Sequence, residues 1–122
     1  MNILPNADRA VIPIEKLLNY SLEFDREPNK STAFRLALGY TKANADKLLN
    51  NIFQNIIKYG AVYKGNNGYG EIYEVVIVLL GENKKTANVL TSWIIENGLD
   101  FPRLTNVYVT KKAANERGDN EI

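Results

Sequence analysis

The chain contains neither cysteine nor histidine, and each absence closes off chemistry before any pattern is considered. Without thiols there is no disulfide framework and no thiolate nucleophile. Without imidazole, the usual proton shuttle near neutral pH and the commonest zinc ligand are missing as well. Charge of one sign is also lacking: 15 basic residues against 14 acidic ones leave a formal +1, so no overall field recommends nucleic acid or a membrane surface. No apolar run approaches the roughly 20 residues a membrane-spanning helix needs. The opening Met1-Asn2-Ile3-Leu4-Pro5-Asn6 lacks the basic and apolar stretches of a signal peptide. The expectation is a soluble protein acting in the cytoplasm, without membrane contact, metal or cofactor.

What is present is enough for one core. A chain of 122 residues, 45% of them hydrophobic, buries roughly two thirds of its unfolded surface on folding and needs no staple. One domain over 1–110 is expected, followed by a polar, unpatterned tail over 111–122 that lacks the apolar content to order itself.

Hydrophobic period divides the domain in two. Ile14, Leu17, Leu18 and Leu22 fall on one face of a first helix that opens at Pro13, where a missing N–H costs nothing. Residues 23–29 read as a loop interrupted by Pro28, with Ser31 or Thr32 capping a short second helix that Gly39 stops. Leu48, Leu49, Ile52, Phe53, Ile56 and Ile57 make the stripe of a long third helix, capped by Thr41 and ended by Gly60. After Gly60 the period becomes 2: strands over 61–64 and 69–80 joined through Gly65-Asn66-Asn67-Gly68, an alternating strand over 85–95, and a last strand over 103–110. The reading is an α+β domain, about three N-terminal helices packed on a C-terminal antiparallel sheet of about four strands.

Familiar phosphate-cradling motifs are absent; the glycines at 65, 68 and 70 belong to a turn rather than a helix start. Carboxylate pairs such as Asp25/Glu27 and Glu71/Glu74 read as solvated surface. Two polar gatherings remain. The first is Asn29-Lys30-Ser31-Thr32 with Arg26 and Arg35, a basic group at a helix start, where unpaired N–H groups favour an anion. The second is Arg103, Thr105 or Asn106, and Tyr108 on the last strand, with Ser92 and Trp93 on the strand before it. If the two gatherings converge, Lys30, Arg103 and Tyr108 would hold a phosphodiester. RNA can be cleaved by such groups, because its own 2′-hydroxyl is the nucleophile and the protein neutralises charge building on phosphate oxygens. The plainer alternatives are that Trp93 belongs to the core, that Lys30 is a solvated loop charge, and that Arg103 pairs with Glu96 or Asp100.

Several segments also carry a family resemblance: Leu4-Pro5-Asn6-Ala7-Asp8-Arg9-Ala10-Val11-Ile12, Lys16-Leu17, Lys30 with Phe34 and Ala37-Leu38-Gly39-Tyr40-Thr41, Tyr69-Gly70-Glu71-Ile72-Tyr73, Trp93-Ile94 and Pro102-Arg103-Leu104. Over residues 4–109 the chain resembles a bacterial family catalogued as domain of unknown function 6883. The resemblance implies short proteins encoded beside a small SH3-like protein in the manner of toxin and antitoxin, or C-terminal cargo of polymorphic toxins. It is similar in turn to the barnase, EndoU, colicin and RelE group of metal-independent ribonucleases. Carried onto this chain, it implies Lys30, Arg103 and Tyr108 as catalytic positions and Trp93, Asn106, Ser31 and Thr32 as substrate-binding positions. Relatives have a basic residue before the lysine where this chain has Asn29, and a hydroxyl residue where it has Asn106. The implied function is a toxin-type endoribonuclease with an RNA substrate and a small antitoxin or immunity protein as partner. The alternative is a non-enzymatic module that binds a small partner protein through its sheet edge, which the near-neutral charge favours.

Overall fold

Pro13 N-caps a helical segment that begins as α1 (Ile14–Lys16) and passes directly into a π turn, Leu17–Ser21. The wider turn is closed by the Leu22 amide donating to the Leu17 carbonyl at 2.9 Å. It buries Leu17, Ser21 and Leu22 and leaves Tyr20 exposed.

Helix α2 (Pro28–Leu38) starts earlier than its Ser/Thr pair suggests. Pro28 occupies the first turn, where a residue without an N–H is tolerated, and Ser31 lies inside the helix with its hydroxyl donating to the Pro28 carbonyl. Gly39 ends α2 in the left-handed region, φ 75°, and the Tyr40 amide reaches back to the Phe34 carbonyl. Thr41 does cap the next segment: its hydroxyl accepts from Ala43 while its own N–H donates to the Asn44 side chain. A 3-10 turn, Lys42–Asn44, then leads into α3 (Ala45–Asn55).

The sheet is a meander of β1 (Val62–Asn66), β2 (Gly70–Leu80), β3 (Thr86–Glu96) and β4 (Arg103–Thr110), antiparallel throughout in the order β1-β2-β3-β4. The fold is thus α+β, with the helices in the N-terminal half and the sheet after them. One core joins the layers: Leu17, Phe34, Leu38, Leu48 and Ile52 from the helices meet Val75, Ile77, Val89, Trp93, Leu104 and Val107 from one face of the sheet.

Two features of the sheet depart from regular pairing. First, Trp93 faces Leu104 and Ser92 faces Asn106, so β4 carries an extra residue, Thr105, in a bulge. The bulge reverses which residues face the helices: Leu104 and Val107 point inward, and Arg103, Asn106 and Tyr108 share the opposite face. Second, residues 111–117, expected to be a loose tail, are laid against the sheet. Asn88 donates to the Lys112 carbonyl, Lys112 pairs with Glu74, and the Asn115 side chain and amide bond both backbone groups of Val76 on β2 beyond the end of the short β1. The Glu116 carbonyl accepts from Gly60, and the Asn2 carbonyl from Ala61. A strand group left bare at such a position would be costly, which explains why this polar segment orders. The computed structural model describes residues 1–117; the rest of the expected tail, 118–122, lies outside the described residues. Among the described residues no helix is long and apolar enough to cross a membrane.

Exposed ion pairs give the fold an acid dependence. Hydrogen bonds from Lys42 and Arg9 hold the Glu23 and Asp100 carboxyls below the usual range, and Tyr63 and Asn66 do the same for Glu71. A carboxyl with a depressed folded-state pKa contributes stability above its unfolded pKa, near 4, and loses it as pH falls through the folded value. The thermal midpoint should therefore decline from about pH 5 to about pH 2, and Asp100→Asn should flatten part of that decline. An unchanged pH profile in Asp100→Asn would remove Arg9–Asp100 from the account.

Candidate anion-binding cleft

Two elements converge on the outer edge of β4. The π turn hydrogen-bonds it through the buried Ser21 hydroxyl, which donates to the Val107 carbonyl at 2.9 Å. Helix α2 lies alongside and projects Lys30 past the strand edge. There the ammonium donates to Asn106 Oδ1 at 3.1 Å and sits 5.4 Å from the centre of the Tyr108 ring. The bulge makes this contact, because unbroken alternation would turn Asn106 and Tyr108 toward the core. Between the elements lies a cavity of about 240 Å³ lined by Lys16, Tyr20, Ser21, Glu27, Lys30, Thr105 and Asn106.

The electrostatics favour a negative guest. Among the described residues Lys16, Arg26 and Lys30 form no ion pair, whereas Arg9, Lys42, Lys47, Arg103 and Lys112 each do. Glu27 is the one carboxylate among the lining residues. Lys16 lies 5.3 Å and the Arg26 guanidinium 4.8 Å from the centre of the Tyr20 ring, each close enough to be attracted by it.

The residues singled out from sequence separate into four groups. Lys30, Asn106 and Tyr108 come together as described. Arg103 stands near Asn106 on the same face of β4, opposite Ile94 where Asn106 is opposite Ser92, but its guanidinium turns to Glu96, at 2.7 and 2.8 Å, and does not line the cavity. Ser31 and Thr32 face away, lining a separate groove of about 320 Å³ with Arg35, Tyr40 and Lys42. Trp93 is fully buried, its indole N–H donating to Thr91 Oγ1 at 2.8 Å, so it supports the sheet from within and presents no face for stacking.

Matching by family pattern covers residues 3–111 and gives the family described as Domain of unknown function (DUF6883). The chain belongs to that family. No curated protein and no solved structure matches it significantly. Within this DUF6883 domain, sequence reading passed over Lys16, Tyr20 and Ser21, and set Glu27 aside as solvated surface. The spacing of Lys16 and Tyr20, four apart in a helix, places them on one face and was the available signal. Among the described residues no three Asp or Glu side chains gather as a metal site would require.

Proposed function

We propose that the domain binds RNA in the cleft beside β4 and cleaves it without a metal ion, acting in the cytoplasm as a toxin-type endoribonuclease restrained by a small partner protein. The toxin setting rests on the family resemblance; the chemistry rests on the cleft. The observation that carries it is Lys30, a cation free of any described carboxylate partner, held between Asn106 and the Tyr108 ring beside a cavity of about 240 Å³ that it lines.

The roles follow from position. Lys30 pairs with a non-bridging phosphate oxygen and offsets the charge that builds as the 2′-oxygen attacks phosphorus. Glu27, which lines the cavity three residues before Lys30 at the start of α2, accepts the 2′-hydroxyl proton. The P–O5′ bond breaks and O5′ takes a proton, a role that falls to the Tyr108 hydroxyl; the products are a 2′,3′-cyclic phosphate and a 5′-hydroxyl. Tyr108 also orients the Lys30 ammonium through its ring. Arg103 can join the phosphate by exchanging Glu96 for it.

Purified protein incubated with RNA in excess chelator should release fragments ending in cyclic phosphate. Lys30→Ala should slow that release by about a hundredfold, the usual loss of one transition-state charge contact. In cells, wild type should degrade RNA and Lys30→Ala with Arg103→Ala should not. Equal effects of wild type and double variant, harmless or toxic, would sink the assignment. A second reading, a non-enzymatic module, is favoured by the edge strand β1, which carries the exposed Tyr63, and by the exposed Tyr69 in the turn after it. It would be supported by a partner protein that protects β1 amides from exchange while Lys30 variants behave as wild type.

A further inference from the structure

The cation cluster extends beyond the contact that carries the proposed reaction. Lys16 and Tyr20 line the same cavity as Lys30, and Arg26 approaches the Tyr20 ring from outside it. Cations repel one another, and two that converge on one site need a reason to stay there. The Tyr20 ring supplies it, attracting the Lys16 ammonium and the Arg26 guanidinium at 5.3 and 4.8 Å. The ring is itself held in place by the π turn, which the Ser21 hydroxyl ties to β4. Lys30, Asn106 and Lys16 thus line the cavity together, and the Tyr20 ring joins Lys16 to Arg26 just beyond it.

We infer that this second cation pair is a binding site for a neighbouring phosphate of the same strand, so that the cleft takes single-stranded RNA across at least two consecutive phosphates, with Tyr20 as the positioning residue. This inference rests on the RNA-cleaving reading. Two features select a single strand. The cavity, at about 240 Å³, is a recess enclosed by the π turn, α2 and β4, and admits a flexible sugar-phosphate segment but not a rigid duplex. The strand edge that lines it adds the Asn106 side-chain N–H and the acceptor capacity of the Thr105 hydroxyl, whose proton goes to the Ser92 carbonyl, as polar partners for a ribose.

The probe is a short 2′-O-methyl oligoribonucleotide, which binds but cannot be cleaved, followed by fluorescence anisotropy over a range of salt concentrations. Each phosphate contact on a single strand contributes about 0.7 to the slope of log affinity against log salt. Lys16→Ala and Arg26→Ala should each weaken binding by roughly tenfold and lower the slope, the two together by about that amount. Tyr20→Ala should weaken binding similarly, and Tyr20→Phe, which keeps the ring, should restore it. The same oligonucleotide annealed to its complement should bind poorly. Wild-type slopes in the Lys16 and Arg26 variants, alongside a reduced slope in Lys30→Ala, would overturn the second site and leave the reaction standing. Equal affinity for the duplex would overturn the single-strand preference. A wild-type protein that ignores the oligonucleotide would overturn both.

Discussion

Trp93→Ala should lower the unfolding free energy by about 3–5 kcal/mol, a large fraction of what a domain of this size has to lose. Trp93 is fully buried in β3, opposite Tyr73 on one side and Leu104 on the other, and belongs to the core that joins the sheet to the helices. A polar contact adds to the loss. The fully buried Thr91 hydroxyl donates to the Val75 carbonyl at 2.7 Å and accepts from the Trp93 indole at 2.8 Å. Trp93→Phe keeps most of the volume but removes that donor, and should cost about 1–3 kcal/mol. Chemical denaturation of both variants measures this directly. The phenylalanine variant also separates a structural role from stacking on a substrate: it should bind RNA as wild type does while unfolding earlier. Normal stability with lost RNA binding would reverse the assignment.

Gly81→Ala should be nearly as damaging, at about 3 kcal/mol or roughly 10 °C in thermal midpoint. Backbone strain is not the cause. A β-carbon on Gly81 would lie 2.3 Å from the Leu38 carbonyl oxygen and 2.6 Å from Leu38 Cα, both backbone atoms that cannot step aside. The contact is where α2 docks onto the β2–β3 turn: Glu82 donates to that same carbonyl at 2.8 Å, and Gly81 closes the turn by donating to Lys85 at 2.7 Å. By contrast, a β-carbon at Gly68 meets open space, so Gly68→Ala should cost only about 1 kcal/mol for its positive φ. The difference between the two midpoints is the measurement. Because α2 also carries Lys30, a displaced helix end should reduce the proposed RNA cleavage beyond what partial unfolding explains. Equal midpoints would mean that the helix end yields freely.

Much of this architecture was legible in the residues alone. Periods of 3.6 and 2 separate the helices from the strands, and Thr41, Gly39 and the long apolar run of β2 mark their boundaries. What escaped has physical causes. Pro28 reads as an interruption, yet in a first turn its missing N–H is harmless, so α2 begins before its apparent caps. The π turn leaves no period of its own. The bulge at Thr105 is decisive for the site, since plain alternation would put Asn106 and Tyr108 opposite Arg103, whereas one extra residue gathers all three on one face. The ordering of 111–117 depends on a long-range fact, that β1 is too short to cover Val76, which no local pattern in the tail contains.

Asn2 and Glu116, near the two limits of the described chain, are stitched to adjacent residues, Ala61 and Gly60. The two limits of the described chain therefore meet the fold at the same place. A domain built this way can be spliced into a surface loop of a larger protein, or tethered at either limit, without its host having to stretch around it.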